Sequence, residues 1–266
     1  MKFAVNLAPF NEWSNPRLVA ELAREAEAAG WDGFFVWDHM NWNRWTKEIG
    51  DPWVALSAAA LSTQKVRLGT LVTPLFRRRP VVLARQLSSL QQLCSGRLIL
   101  GVGLGAPDPQ ESAWIGEPAE RKLRARITDE ALELLGKLWS GEPVDHQGEF
   151  FQVRSEGFWP RPEPAIPIWI AATYPFRSGP IARGCRHQGL IPAHFDRALA
   201  AHELAPLAFP GQDLAAGAYT GKDPAADRAR VQSYQEVGVT WWVEPLDPWR
   251  ADTATLRQRL RAGPPI

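Results

Sequence analysis

The chain has 266 residues, 45% of them hydrophobic, and 30 Lys+Arg stand against 29 Asp+Glu. A chain of that size buries roughly 75% of its extended surface, and balanced charge offers neither nucleic acid nor an anionic membrane a basic stripe. Cys94 and Cys185 lack C-x-x-C spacing, and no apolar run approaches the roughly 20 residues that span a bilayer. The expectation is one domain over residues 1–266, cytoplasmic, acting on a small-molecule substrate.

Short apolar runs alternate with longer stretches of helical period, the mark of repeated βα units. The first strand is Lys2–Leu7. A helix starts near Pro16, with Asn15 as its N-cap, and stops at Gly30. The second strand is Gly33–Trp37, ending at Asp38-His39. A Trp- and Asn-rich loop leads to a helix at Pro52–Ser62, and Val66–Val72 is the third strand. Pro80 opens a helix to about Leu93, and Gly96 turns into the fourth strand, Arg97–Val102. A long helix at Ala119–Trp139 is followed by a hairpin, Pro143–Val153, outside the βα rhythm. Strands at Ile168–Ala171, Gly189–Ile191, Leu214–Ala218 and Val239–Val243 complete eight. Helices near Gly179–Gly184, Asp196–Ala205, Asp223–Val237 and Thr253–Arg261 interleave with them.

Eight successive βα units predict an α/β fold, a single (β/α)8 TIM barrel, with its chemistry at the C-terminal strand ends. That rule alone selects Asn6, Asp38 and His39, Thr70 to Thr73, Gly103 to Gly105, Ala172 and Thr173, His194, Tyr219 and Glu244. His39 is the best local candidate, because a rim histidine can exchange a proton near neutral pH, with Asp38 biasing its tautomer. A satisfied structural histidine is the alternative. The GVGLG run (Gly101–Gly105) lacks the third glycine of a dinucleotide fingerprint and has Asp108 in its place. Glycines that let backbone approach a flat ligand are the better reading. Arg77, Arg78 and Arg79 are either a solvated loop or a clamp on an anionic tail. Ala172–Gly179 is either an ordinary loop or a phosphate cradle to which Arg177 adds charge.

The five histidines have no metal-binding spacing, so no metal site is assigned; His146 and Glu149 in the hairpin read as exposed. No G-x-S-x-G element suggests a serine nucleophile. Thirteen tryptophans are either packing rings or, for Trp37, Trp42, Trp45 and Trp53, the lining of an aromatic pocket.

In order and spacing, several stretches resemble the luciferase-like flavin-dependent oxidoreductases, which include bacterial luciferases and deazaflavin (F420)-dependent enzymes. These are GWDGFFVWDH (Gly30–His39), VRLGTLVTPLFRRRPVVLARQLSSL (Val66–Leu90), SGRLILGVGLG (Ser95–Gly105), ESAWIGEP (Glu111–Pro118), LWSGEPVDHQGEFFQV (Leu138–Val153), PEPAIPIWIA (Pro162–Ala171) and GVTWWVEP (Gly238–Pro245). The resemblance implies a ring cofactor across the barrel mouth, with His39 and Asp38 catalytic. It implies that Thr70, Leu71, Val72, Gly103, Gly105, Ala172 and Thr173 contact the cofactor, with a bulge or cis bond at Leu71–Val72; Asn6 at its strand end and Arg177 in its loop complete the expected cofactor-binding set. Three departures qualify it. Ala171-Ala172 replaces a frequent Gly-Gly pair, Ala106 replaces the glutamate of deazaflavin sugar-phosphate dehydrogenases, and Leu104 replaces a luciferase arginine.

The leading expectation is an FMN-using monooxygenase, fed by a separate flavin reductase and homodimeric. The alternatives are hydride transfer with coenzyme F420, a flavin-binding barrel without catalysis, and a metal-dependent barrel hydrolase.

Overall fold

The computed structural model describes residues 1–42, 46–106, 111 and 114–266. Eight parallel strands close a barrel: β1 (Lys2–Leu7), β2 (Gly33–Val36), β3 (Arg67–Pro74), β4 (Leu98–Gly103), β7 (Ile168–Thr173), β8 (Gly189–Ala193), β9 (Asp213–Ala216) and β10 (Trp241–Leu246). Around the barrel the order is β1-β10-β9-β8-β7-β4-β3-β2. This is the predicted (β/α)8 fold. The antiparallel hairpin β5 (Val144–Gln147) and β6 (Gln152–Ser155) stands apart from it.

The helices are α1 (Pro16–Ala28), α2 (Pro52–Ser62), α3 (Pro80–Leu93), α4 (Arg121–Trp139), α5 (Ser178–Gly184), α6 (Ala201–Leu204), α7 (Pro224–Glu236) and α8 (Thr253–Arg261). Local chemistry sets several starts. Proline occupies the first position of α1, α2, α3 and α7, where its missing N–H costs nothing. Side chains of Asn15, Asp51, Asp223 and Asp252 accept the first free amides of α1, α2, α7 and α8. Among the described residues, no helix is long and apolar enough to cross a membrane.

Alternation along the strands divides the core in two. Ala4, Phe35, Leu71, Ile99, Trp169, Ala215, Trp241 and Val243 fill the barrel interior. The rings of Phe35, Trp169 and Trp241 lie 5.3–6.2 Å apart and plug it. Their neighbours in sequence, such as Val5, Phe34, Leu68, Leu100, Ile170 and Trp242, face outward into the larger layer beneath the helices.

Several segments depart from expectation, among them the strand expected at Leu214–Ala218, which ends at Ala216. Strand β3 runs on to Pro74 through a register irregularity between Thr70 and Thr73, beside a cis Leu71–Val72 peptide as the resemblance implied. The helix expected at Asp196–Ala205 starts only at Ala201, because the Glu203 carboxylate reaches back to the Ala200 amide at 2.7 Å and fixes the first turn there. Strand β10 begins two residues later than expected and extends to Leu246. His146 corrects the exposed reading of the hairpin. It is buried, its Nε2 lying 3.2 Å from Glu130, whose carboxylate also accepts the amides of Phe150 and Phe151.

Candidate active site

Strand β2 delivers Asp38 and His39 to the C-terminal mouth, and the turn after β3 delivers Arg77 and Arg78 opposite them. Asp38 is buried. Its Oδ2 accepts Arg78 Nε at 2.9 Å, and its Oδ1 accepts Arg78 Nη2 at 2.6 Å and Arg77 Nη2 at 3.2 Å. Arg77 also donates Nη1 to Glu111 Oε1 at 2.8 Å. Glu111 in turn accepts the Met40 amide at 2.8 Å and lies 3.1 Å from His39 Nδ1. The result is one chain of alternating charge, Arg78–Asp38–Arg77–Glu111–His39, out of water at nearly every member.

Burial alone would raise the Glu111 carboxyl. The hydrogen bond from His39, the charges of His39 and Arg77, and the Met40 amide overcome it and hold the group at about 2. Glu111 is therefore a carboxylate, and a carboxylate only accepts, so His39 Nδ1 carries the hydrogen of that contact. In the neutral ring, Nε2 is then the acceptor.

Aromatic rings surround His39. Trp42 lies 4.6 Å from it and Trp37 5.5 Å, and Trp249 stacks on Trp42 at 5.6 Å and 14°. Trp37 and Trp42 thus belong to the aromatic wall expected from the sequence. Trp53 does not, being a buried core residue under Arg78. Trp45 lies outside the described residues, as does Asp108.

The expected cofactor contacts separate. Asn6 shares the inward parity of Ala4, and its Oδ1 is buried with no hydrogen-bond partner among the described residues. Leu71 and Val72 belong to the inner cluster. Gly103 is required by close packing, since a Cβ there would lie 2.4 Å from Val72 Cγ2, and Gly105 by its φ of +72°. The Thr70 hydroxyl is turned into the β3–β4 seam, between the Gly101 carbonyl and Thr73. Ala172 points outward and is buried, while Thr173 has the inward parity.

The segment expected as either an ordinary loop or a phosphate cradle, Ala172–Gly179, follows β7 at the mouth. The Tyr174 amide is taken by the Ala193 carbonyl, Arg177 is exposed, and α5 has only seven residues. The anionic-tail clamp is corrected: Arg77 and Arg78 turn inward to carboxylates and only Arg79 is exposed. Glu244, selected as a rim residue, alternates outward; it holds Thr220, Trp242 and Arg259, and burial pushes its carboxyl up.

Two site residues were not assigned a role from sequence. Glu111 opens the ESAWIGEP element, but no spacing rule joins it to His39, 72 residues away. Asp247, just past β10, accepts the Tyr219 hydroxyl, and burial raises its carboxyl to about 7 against the pull of Arg250.

A parallel barrel with a buried His–Glu–Arg–Asp network at its strand ends holds its charged side chains where barrels of this kind carry their chemistry. Residues 1–208 match the family model for luciferase-like monooxygenases, and the chain belongs to that family. It is 39% identical over 165 residues to an F420-dependent glucose-6-phosphate dehydrogenase of Mycolicibacterium fortuitum, covering 60% of this chain and 48% of that protein. The namesake from Rhodococcus erythropolis is 37% identical over 169 residues, covering 62% and 50%. The chain thus spans about half the length of the curated relatives it matches. Among solved structures, an F420-dependent secondary alcohol dehydrogenase with an F420-acetone adduct superposes with TM-score 0.76 at 19% identity, covering 100% and 99% of the two chains. The monooxygenase RslO1 from Streptomyces bottropensis gives 0.78 at 18%, covering 98% and 97%. At those identities the likeness is one of fold.

Proposed function

We propose that this chain is an oxidoreductase that transfers a hydride between coenzyme F420 and a small alcohol or carbonyl compound. The two curated relatives reported above are F420-dependent by name, which favours F420 over the FMN expected from sequence, and the solved monooxygenase RslO1 is alike in fold alone. Under this reading no separate flavin reductase is invoked.

The residues at the mouth fit a flat ring. Gly103, Ala171 and Ala193 occupy inward positions at the upper ends of β4, β7 and β8, so that wall is low. Leu71, Val72, Ile191 and Val243 offer an apolar floor, and Asn6 adds a buried acceptor with no hydrogen-bond partner among the described residues. When bound, the coenzyme supplies a two-electron hydride acceptor or donor.

The observation that carries the reading is the contact of His39 with a buried, ionised Glu111. Glu111 leaves His39 Nε2 as the base that takes the proton of the substrate hydroxyl while the carbon gives up hydride. Arg77 and Asp38 hold Glu111 in place and keep the network rigid. The aromatic wall keeps water off the reacting carbon. On this reading Glu111 and His39 supply the acid–base groups, although Ala106 stands where deazaflavin sugar-phosphate dehydrogenases carry a glutamate.

Titration of tryptophan fluorescence with F420 and with FMN tests the reading, because the mouth is lined with indoles. Quenching by F420 at lower concentration than by FMN supports it; the reverse order refutes it. In a coupled assay that follows bleaching of oxidised F420 by secondary alcohols, His39→Ala is expected to lose about 100-fold or more in turnover with F420 affinity retained. Equal loss of both removes the proton-transfer role. The homodimer stays part of the proposal, and sedimentation equilibrium reads it directly.

A further inference from the structure

Polar atoms with no hydrogen-bond partner among the described residues gather on one side of the mouth. Asp247 follows Leu246 and Trp37 follows Val36; both of those residues pair with Leu7, and Asn6 lies on the strand between. Asp247 Oδ1, Trp37 Nε1 and Asn6 Oδ1 are each buried with no hydrogen-bond partner among the described residues. A buried polar atom left this way costs free energy that a ligand's hydrogen bond would recover. Asp247 itself is 3% exposed. Its second oxygen accepts the Tyr219 hydroxyl, and Arg250 lies over the Tyr219 ring. Asp247 is the first residue past the C-terminal end of β10 and Tyr219 lies three past that of β9, so both stand at the mouth. Two residues on, Trp249 stacks on Trp42 beside His39.

We infer that Asp247, held by Tyr219, is a specificity-determining residue whose Oδ1 hydrogen-bonds a neutral hydroxyl of the substrate, distinct from the hydroxyl that His39 serves. This rests on the F420 reading of the site but concerns a separate contact. The choice of a hydroxyl follows from the chemistry of the carboxyl. Burial holds Asp247 close to its half-protonated point at neutral pH. A hydroxyl can donate to the ionised form and accept from the protonated one. A carbonyl can only accept, and a carboxylate or phosphate meets repulsion from the ionised form. The substrate class is therefore a compound with at least two hydroxyls, one against His39 and one against Asp247, its carbon skeleton on the Trp37–Trp42–Trp249 wall.

Cyclohexanol and cyclohexane-1,2-diol are matched probes. Saturation-transfer NMR on the coenzyme-free protein is expected to show a binding preference for the diol of about fivefold, one net hydrogen bond's worth. Asp247→Ala should abolish that preference and leave cyclohexanol unchanged. Because Asp247→Ala strands the Tyr219 hydroxyl and can unfold the loop, the double variant Asp247→Leu with Tyr219→Phe removes both partners together and is the second test. No diol preference in the wild type, or one that survives in either folded variant, overturns the inference. Failure of the F420 reading shows up separately, as FMN quenching ahead of F420, and leaves the diol preference where it is.

Discussion

Glu111→Gln probes the network through its electrostatics, since the amide keeps the size of the side chain and an oxygen to accept the Met40 and Arg77 hydrogens. What it removes is the charge. The Glu111 carboxyl sits at about 2 in the folded protein against an ordinary 4.5. A depressed carboxyl stabilises the fold above its unfolded pKa, and that stability is lost as pH falls through the folded value. With a shift of about 2.5 units the contribution is about 3 kcal/mol at pH 7, falling to about 1 kcal/mol at pH 3. Urea unfolding of wild type and Glu111→Gln across this range reads the difference directly. The gap between the two proteins should be widest above pH 5 and narrow steadily below it. A gap that stays constant with pH would mean that Glu111 acts by shape and not by charge, and the argument for the His39 tautomer would fall with it.

Other outcomes follow from the same geometry. Asp38→Ala strands two arginines that are largely buried, and should cost about 3–5 kcal/mol in urea unfolding, the usual penalty for breaking a buried pair; a loss under about 1 kcal/mol would show that solvent already screens them. Gly103→Ala drives a Cβ to 2.4 Å from Val72 Cγ2, so a destabilisation of about 1–3 kcal/mol with weakened F420 quenching is expected; unchanged quenching would place the ring elsewhere. For Asp247 the sign is opposite to Glu111. A carboxyl raised from 3.8 to about 7 makes ionisation costly in the fold, so stability falls as pH rises between those values. Asp247→Asn should accordingly gain on wild type across that interval, by up to about 4 kcal/mol at its top, and a gap that does not change with pH counts against the burial argument.

The fold was legible because its signals are local. Prolines at helix starts, aspartate and asparagine caps and inward–outward alternation each act over a few residues, so most element boundaries follow from the chain itself. Where expectation failed, a contact from outside the window decided. Glu203 reached back to Ala200 and shortened a helix, and strand β10 was extended by pairing with β1 along its whole length. The site was only half legible for the same reason. His39 and Asp38 announced themselves as a rim dyad at a strand end. Glu111 and Asp247 did not, because what sets each apart is burial beside a residue 72 or 28 positions away. Arg77 and Arg78 read as a basic surface run until the buried Asp38 claimed them.

The two carboxyls at the mouth are chemically alike in sequence and opposite in state. Glu111 receives a histidine, an arginine and an amide and stays ionised, whereas Asp247 receives one tyrosine hydroxyl inside an apolar rim and is held near half-protonation. Environments that push two acids apart in this way divide their labour. The ionised one cannot give a proton, and on the proposed reading it orients His39. The other can donate or accept a hydrogen bond at neutral pH, which suits it to recognising a hydroxyl. On the proposed reading, a barrel that places both at one set of strand ends separates the group that positions the base from the group that reads the substrate, and each can be altered by substitution without touching the other.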